Sequence, residues 1–336
     1  MLMKLKFLFL LMAAALVMGF AACSEDDDDE VVPNIDLSTV TSDLTLQNGD
    51  VVTGNLKENV KISIADGATV TFKGDTIKGA IVMAVPRPGI TCRGDATIIL
   101  TDGTVNVVSP FGDYYPGIYV PLGKTLIIRG NTGELRVRGS HAAAIGGGSS
   151  SIGAFGETIY NDNVNCGNIR IEGGVIKAYS SKESAAIGAG TDAKCGDITI
   201  MGGTISANST DGPAIGSVSG GSCGKIVITG GNITAKSTWN QAPAIGSSGW
   251  LDYDKSGKSY GKFESITITS GITSLIATGG DGSTVPPIGK GADDTGSGDV
   301  NIDGKLNPDI SWSGDGMQSL KLTKPDDSNN IWQLER

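Results

Sequence analysis

The sequence predicts an all-β chain wound as a right-handed, single-stranded parallel β-helix of about nine rungs with a cap at each end. Three observations carry this. The tripeptide Ala-Ile-Gly recurs at 144–146, 186–188, 214–216 and 244–246, with Pro-Ile-Gly at 287–289. After each comes a stretch with isoleucine at every second position, such as Ile198 and Ile200, then a Gly-Gly or similar turn, then a second alternating stretch such as Ile205 and Ala207. Period-two alternation is a strand with one buried face, and no helical spacing of apolar residues interrupts it. Gly188 to Gly216 is 28 residues and Gly216 to Gly246 is 30, a repeat too small to bury its apolar face alone, so copies must stack. Crossovers between parallel strands are nearly always right-handed, which sets the expected hand.

In chain order, residues 1–22 form a leader. Lys4 and Lys6 precede an apolar run from Phe7 to Val17 and the segment Phe20-Ala21-Ala22-Cys23, the arrangement of a secretory signal. The run is shorter than the ~20 residues a spanning helix needs. The Ala-Ala-Cys ending resembles a lipoprotein box and makes Cys23 the expected lipid site; an ordinary signal peptide beside a chance cysteine is the alternative. Residues 23–35 are a tether containing Ser24-Glu25-Asp26-Asp27-Asp28-Asp29-Glu30. Such a run is a solvated linker, and after a lipidated cysteine it also resembles the export tag of Gram-negative surface lipoproteins. The expectation is an outer-membrane lipoprotein facing the medium, held to the membrane by lipid alone.

Residues 36–336 are read as one elongated domain. Its cap runs from Asp36 to Asn59, diverged rungs follow around Asp66-Gly67 and Asp102-Gly103, and the regular repeats extend to about Ile302. Ile310 to Trp312, Leu320 to Leu322 and Ile331 to Leu334 close the far end. Cys166, Cys195 and Cys223 each precede a strand isoleucine by three residues and should stack as buried thiols, with Phe263 next in the column; a disulfide within the column is the competing reading. Cys92 stands alone.

Losing Lys4 and Lys6 with the leader takes the formal charge from −10 to −12. This balance argues against nucleic acid as a partner, since phosphate contacts need clustered Lys and Arg.

Gly117-Ile118-Tyr119-Val120, the stretch Leu126 to Val137 and Ala143-Ala144-Ile145-Gly146-Gly147-Gly148 together resemble the extracellular parallel β-helix carbohydrate-binding domains of bacteria and the Ala-Ile-Gly-Gly-Gly repeat arrays of adhesin-like surface proteins. The resemblance spans roughly residues 60–302. It implies polysaccharide binding at a cell surface, often with bound calcium, and carries over no liganding residue.

Two rungs are long: Gly146 to Gly188 is 42 residues and Gly246 to Gly289 is 43. The insertions, Ser149 to Asn165 and Ser247 to Lys262, should leave the same corner three rungs apart, ~14 Å at ~4.8 Å per rung, and wall a notch. Phe155 and Tyr160 lie in the first, Trp250, Tyr253 and Tyr260 in the second. Aromatic faces suit sugar rings, although the same rings could pin their own loops. Asp192, Asp252 and Asp254 would offer hydroxyl or calcium contacts, over a floor of Ala186, Gly188, Ala214 and Gly216. A second candidate is the residue four before each repeat isoleucine: Tyr114, His141, Glu183, Asp211, Gln241 and Thr284. Glu183 and Asp211, one rung apart, approach the ~5–5.5 Å of a retaining glycosidase pair, which keeps a polysaccharide-active hydrolase or lyase open as an alternative to non-catalytic binding. Solvated turn residues, and a structural or adhesive spacer with no glycan site, are the others. No zinc spacing, phosphate-cradling glycine motif or nucleophile elbow is present.

Overall fold

A computed structural model describes residues 34–57, 60–78, 86–152, 158–159, 164–248, 260–281, 285–292, 294, 296–308 and 317–323, all within one compact unit, Val32–Arg336. Among them there are strands, one 3-10 turn at Leu37–Thr39 and no α-helix, and no helix long and apolar enough to cross a membrane. The leader, Cys23 and the acidic run to Glu30 lie outside the described residues, whereas Asn34 and Ile35, the end of the expected tether, belong to a strand, Asn34–Asp36, paired parallel with Val51–Asn55.

The strands fall into three classes that recur in order. Those of the first class form a nine-stranded parallel sheet from Leu44–Leu46 to Ile288–Gly289. In it Ile118, Ile145, Ile187, Ile215, Ile245 and Ile288 stand in one register file. The second class runs through Ala96–Leu100, Thr125–Gly130, Asn168–Ile171, Ile198–Ile200, Ser222–Ile228, Lys262–Ile268 and Asp299–Ile302, each parallel to the next. The third runs through Val105–Val108, Glu134–Gly139, Val175–Ser180, Thr204–Ser209, Asn232–Ser237 and Ser274–Asp281. Every strand of these three classes thus pairs with its equivalent in the neighbouring repeat, which is the stacking the sequence period demands, while Ser151–Ile152 and Thr158–Ile159 form an antiparallel pair of their own. At the far end Met317–Thr323 pairs antiparallel with Ser274–Asp281, and a reversed strand there occupies an edge that would otherwise remain open.

The alternating isoleucines point inward. Ile169, Ile171, Ile198, Ile200, Ile226 and Ile228 from the second class are fully buried, as are Leu135, Ile176, Ile205 and Ile233 from the third. Removing each such side chain from water contributes about 1.5–3 kcal/mol. Cys195 is in register with Cys223, and Cys223 with Phe263. Cys92, Cys166, Cys195 and Cys223 are all free and buried. Burial pushes the Cys92 thiol up to about 12 and holds that of Cys223 above the ordinary range, and hydrogen bonding with Cys166 together with burial does the same for Cys195, so these sulfurs act as small apolar groups.

The Ala-Ile-Gly segments are not open strands. The Ala143 amide donates to the Gly147 carbonyl at 3.0 Å and the Ala185 amide to the Ala189 carbonyl at 3.2 Å, while Ser184 bridges Gly190 in antiparallel sense. The tripeptides at 144–146 and 186–188 are therefore tips of closed loops, and they stack in register with the later ones, where Pro213, Pro243 and Pro286 have no amide to make the same bond. Their glycines have φ of +139° at Gly146, +135° at Gly188, +139° at Gly216 and +139° at Gly246. A methyl group on any of the four would lie about 2 Å from the carbonyl oxygen of the next glycine in the file, at 2.0, 2.1, 1.8 and 1.9 Å in turn. Glycine is required here for backbone angle and for space at once. Gly216→Ala should destabilise the fold by ~3 kcal/mol or more, whereas Gly103→Ala, left-handed but with open space around it, should cost only ~1–2 kcal/mol; paired denaturation curves check the contrast.

One buried group breaks the apolar pattern. Asp75 is fully buried and neither carboxylate oxygen has a hydrogen-bond partner, while its amide donates to Asn106 Oδ1 at 3.2 Å. Desolvation raises its carboxyl from 3.8 to about 7. A raised folded-state value means the neutral acid is the stable form, so this stabilisation is complete below about pH 4 and lost as pH rises through about 7. A shift of this size corresponds to ~4 kcal/mol. Thermal unfolding should show stability falling between about pH 4 and pH 7 and level above, and Asp75→Asn should remove most of that slope.

Candidate functional site

Closure of the Ala-Ile-Gly loops decides where the two candidate sites lie. Read as open strands, the tripeptides would hold the turn before them and the loop after them at opposite corners. In the structure Thr191 Oγ1 donates to the Glu183 carbonyl at 2.9 Å, and the Ser149 amide donates to the Tyr114 carbonyl of the preceding repeat at 3.2 Å. The turn file of Tyr114, His141, Glu183 and Asp211 therefore runs beside the points from which the long loops rise. The two candidates become one surface.

The file itself is unusual in its backbone. Tyr114, His141 and Glu183 occupy the left-handed region at φ of +68°, +52° and +41°, a conformation that costs an ordinary residue ~1–2 kcal/mol. Asp211 escapes it. The rings of Tyr114 and His141 lie on one another with centroids 4.6 Å apart and planes tilted by 31°, close to the strand spacing. His141 Nδ1 stands 4.0 Å from Asp113 Oδ1, a carboxylate that also accepts from Ser140 Oγ at 2.6 Å. His141 Nδ1 is buried and has no hydrogen-bond partner. Burial raises the Tyr114 hydroxyl above its ordinary value, with the charges of Glu183 and Asp113 adding to it. Burial likewise raises the Asp211 carboxyl, against the opposing influence of Lys182 and His141.

Asp192 adds to this surface. It is exposed, left-handed at φ +55°, and accepts from Ser150 Oγ at 2.9 Å, while the Ser150 amide donates to the Thr191 carbonyl at 3.1 Å. The root of the first long loop is thereby tied to the next repeat. The second loop returns to the same side: Ser217 Oγ donates to the Lys262 carbonyl at 2.7 Å, the Gly261 amide to the Ser248 carbonyl at 3.2 Å, and the Ser248 amide to the Ser217 carbonyl at 2.9 Å. Tyr260, at the end of this loop, is half-buried. Phe155, Tyr160, Trp250, Asp252, Tyr253, Asp254 and Thr284 lie outside the described residues.

The expected floor of the notch is corrected. Ala186 and Ala214 are fully buried, and Gly188 and Gly216 are buried with their outer approach taken by the next repeat's carbonyl. A closed loop turns its tip into the core, so these small residues serve stacking and not a ligand. In the two repeats between the loop roots, the side chains available are Glu183, Asp211 and Asp192. Counting from the repeat isoleucine found Tyr114 in the file; Asp113, beside it, carried no repeat signal and was missed.

Other turn acids are engaged in structure. Asp66 Oδ1 accepts the Asp95 amide, Asp95 Oδ1 the Thr125 amide and Asp197 Oδ1 the Lys225 amide, each at 2.8 Å, so they join one repeat to the next. Among the described residues no group of three or more His, Cys, Asp or Glu is placed to hold a metal ion. No protein-family model matches the chain, and neither curated proteins nor solved structures include a match to it.

Proposed function

We propose that the chain is a surface lipoprotein, acylated at Cys23 and displayed on the outer face of a Gram-negative outer membrane, whose right-handed parallel β-helix of about nine rungs binds polysaccharide without catalysis. The observation that carries this reading is the common register of the two loop roots. Gly146 and Gly246 stand in one file with Gly188 and Gly216 between them, so two insertions bearing Tyr160 and Trp250, Tyr253 and Tyr260 start from the same side, ~14 Å apart. Between them lies a row of carboxylates that suits sugar hydroxyls. Concave surfaces with apolar walls and a few convergent polar groups are the usual form of a ligand site.

In this reading the aromatic rings stack on sugar faces, and Glu183, Asp211 and Asp192 orient the chain by hydrogen bonding. Calcium would draw on Asp252, Asp254 and Asp192. Glycan-array retention of the purified protein, without release of reducing ends or unsaturated uronates, is the expected result. Trp250→Ala should weaken binding by ~1–3 kcal/mol with the melting temperature unchanged. Loss of folding with binding per folded molecule intact would make the rings loop pins, and product release abolished by Glu183→Gln would establish an enzyme.

A further inference from the structure

The third class of strands presents a second, independent surface. Along Glu134–Gly139, Val175–Ser180, Thr204–Ser209 and Asn232–Ser237 residues alternate between buried and outward positions. Register places Arg138, Tyr179, Asn208 and Lys236 in one outward file and Arg136, Lys177, Ser206 and Thr234 in the file beside it. At ~4.8 Å per strand, Arg138 and Lys236 stand ~14 Å apart with the tyrosine and the amide between them.

Charge on this face runs against that of the chain. The outward positions of the four strands carry Arg136, Arg138, Lys177 and Lys236 against a single carboxylate, Glu134, in a protein of formal charge −10. Glu134 is already shared by Arg136 and by Lys177, the latter at 3.0 Å. Arg138 and Lys236 make no ion pair among the described residues. The second class of strands handles its cations differently: Glu172 neutralises both Arg129 at 2.6 Å and Arg170 at 2.7 Å, and Glu264 pairs with Lys225 at 3.4 Å. Tyr179 is 42% exposed, in contrast to the fully or largely buried rings of Phe72, Phe111, Tyr119 and Phe263. Among the described residues no ring or cation lies over it, the one ring pair being Tyr114 with His141 and the one cation contact Arg87 with Phe111. In the adjoining file Lys177 stands beside Tyr179, while Ser206 and Thr234 beside Asn208 and Lys236 are short and leave that flank low.

We propose that this outward file is a binding site for an acidic polysaccharide, with a sugar ring against Tyr179, its carboxylates or sulfates held by Arg138 and Lys236, and a hydroxyl on the Asn208 amide. The parts match that ligand one by one. A guanidinium presents a planar fork to an oxyanion and an ammonium a mobile point charge. The phenol supplies an apolar face with a polar rim. Asn208 Nδ2 donates to Ser206 Oγ at 3.2 Å, which leaves its second N–H and its carbonyl oxygen for a ligand. An extended polymer needs no cavity. It can lie along the file, across successive strands, and no residue of the two long loops is required.

Affinity electrophoresis of the full chain through gels containing hyaluronate, dextran sulfate or neutral dextran tests this. Retardation by hyaluronate alone assigns carboxylate and by dextran sulfate alone sulfate; either supports the site if it fades with added salt. The apparent affinity should fall about tenfold in Tyr179→Ala and in Arg138→Gln combined with Lys236→Gln, with the melting temperature unchanged and with Arg170→Gln without effect. Absence of retardation by both acidic polymers, equal retardation by single-stranded DNA, or an unaltered Tyr179→Ala variant would overturn the proposal. Trp250→Ala affecting only neutral-glycan retention would report on the notch and leave this site standing.

Discussion

The close approach of glycine backbones in the Ala-Ile-Gly file is the constraint on which the rest of the molecule depends. The Gly147 amide donates to the Gly188 carbonyl and the Ala189 amide to the Gly216 carbonyl, both at 2.9 Å, and the glycines between have no room for a methyl group. Because the tips at 144–146 and 186–188 are both closed on themselves and bonded to the next, their positions are determined twice, once within a repeat and once between repeats. That pins one corner of every repeat to a common line. The two broad faces then follow from period-two alternation, with isoleucines inward and the polar complement outward.

This arrangement separates structure from chemistry. Inserted residues enter where the closed loop ends, after Gly146 and after Gly246, and the stacked tips before them are undisturbed. A long loop costs little in closure entropy once its ends are held, and here the ends are held by Ser150 on Asp192 and by Ser217 on the Lys262 carbonyl. The residues that immediately precede the tips carry the strain. Tyr114, His141 and Glu183 retain left-handed backbones where glycine would relieve them, and strain of this kind gathers at sites selected for something other than stability. The polar turn file and the loop roots are thus two sides of one closed loop.

Much of the fold was legible because repetition turns local pattern into tertiary register. Counting three residues back from a strand isoleucine put Cys195, Cys223 and Phe263 in one column, and the pairing bears this out. Counting four back gave the turn file. What spacing did not carry was the path of the chain inside a repeat. Ala-Ile-Gly has the composition of a short buried strand, and its closure rests on bonds between Ala143 and Gly147 and between Ala185 and Ala189 that leave no mark on periodicity. The floor of the notch was misplaced for that reason. Buried Asp75 was equally invisible, since an acid beside Gly74 reads as a turn residue, and only register against Asn106 and Leu135 brings it inside.

The closed tip that joins the turn file to the loop roots at 186–188 and 214–216 is tested most directly by nuclear Overhauser contacts. Closure predicts a contact between the α-protons of Ser184 and Gly190, a corresponding one between Gly212 and Val218, and slow exchange of the Ala185 amide. An open strand would hold Ser184 and Gly190 ~20 Å apart, so the absence of both contacts with rapid exchange at Ala185 would contradict the account.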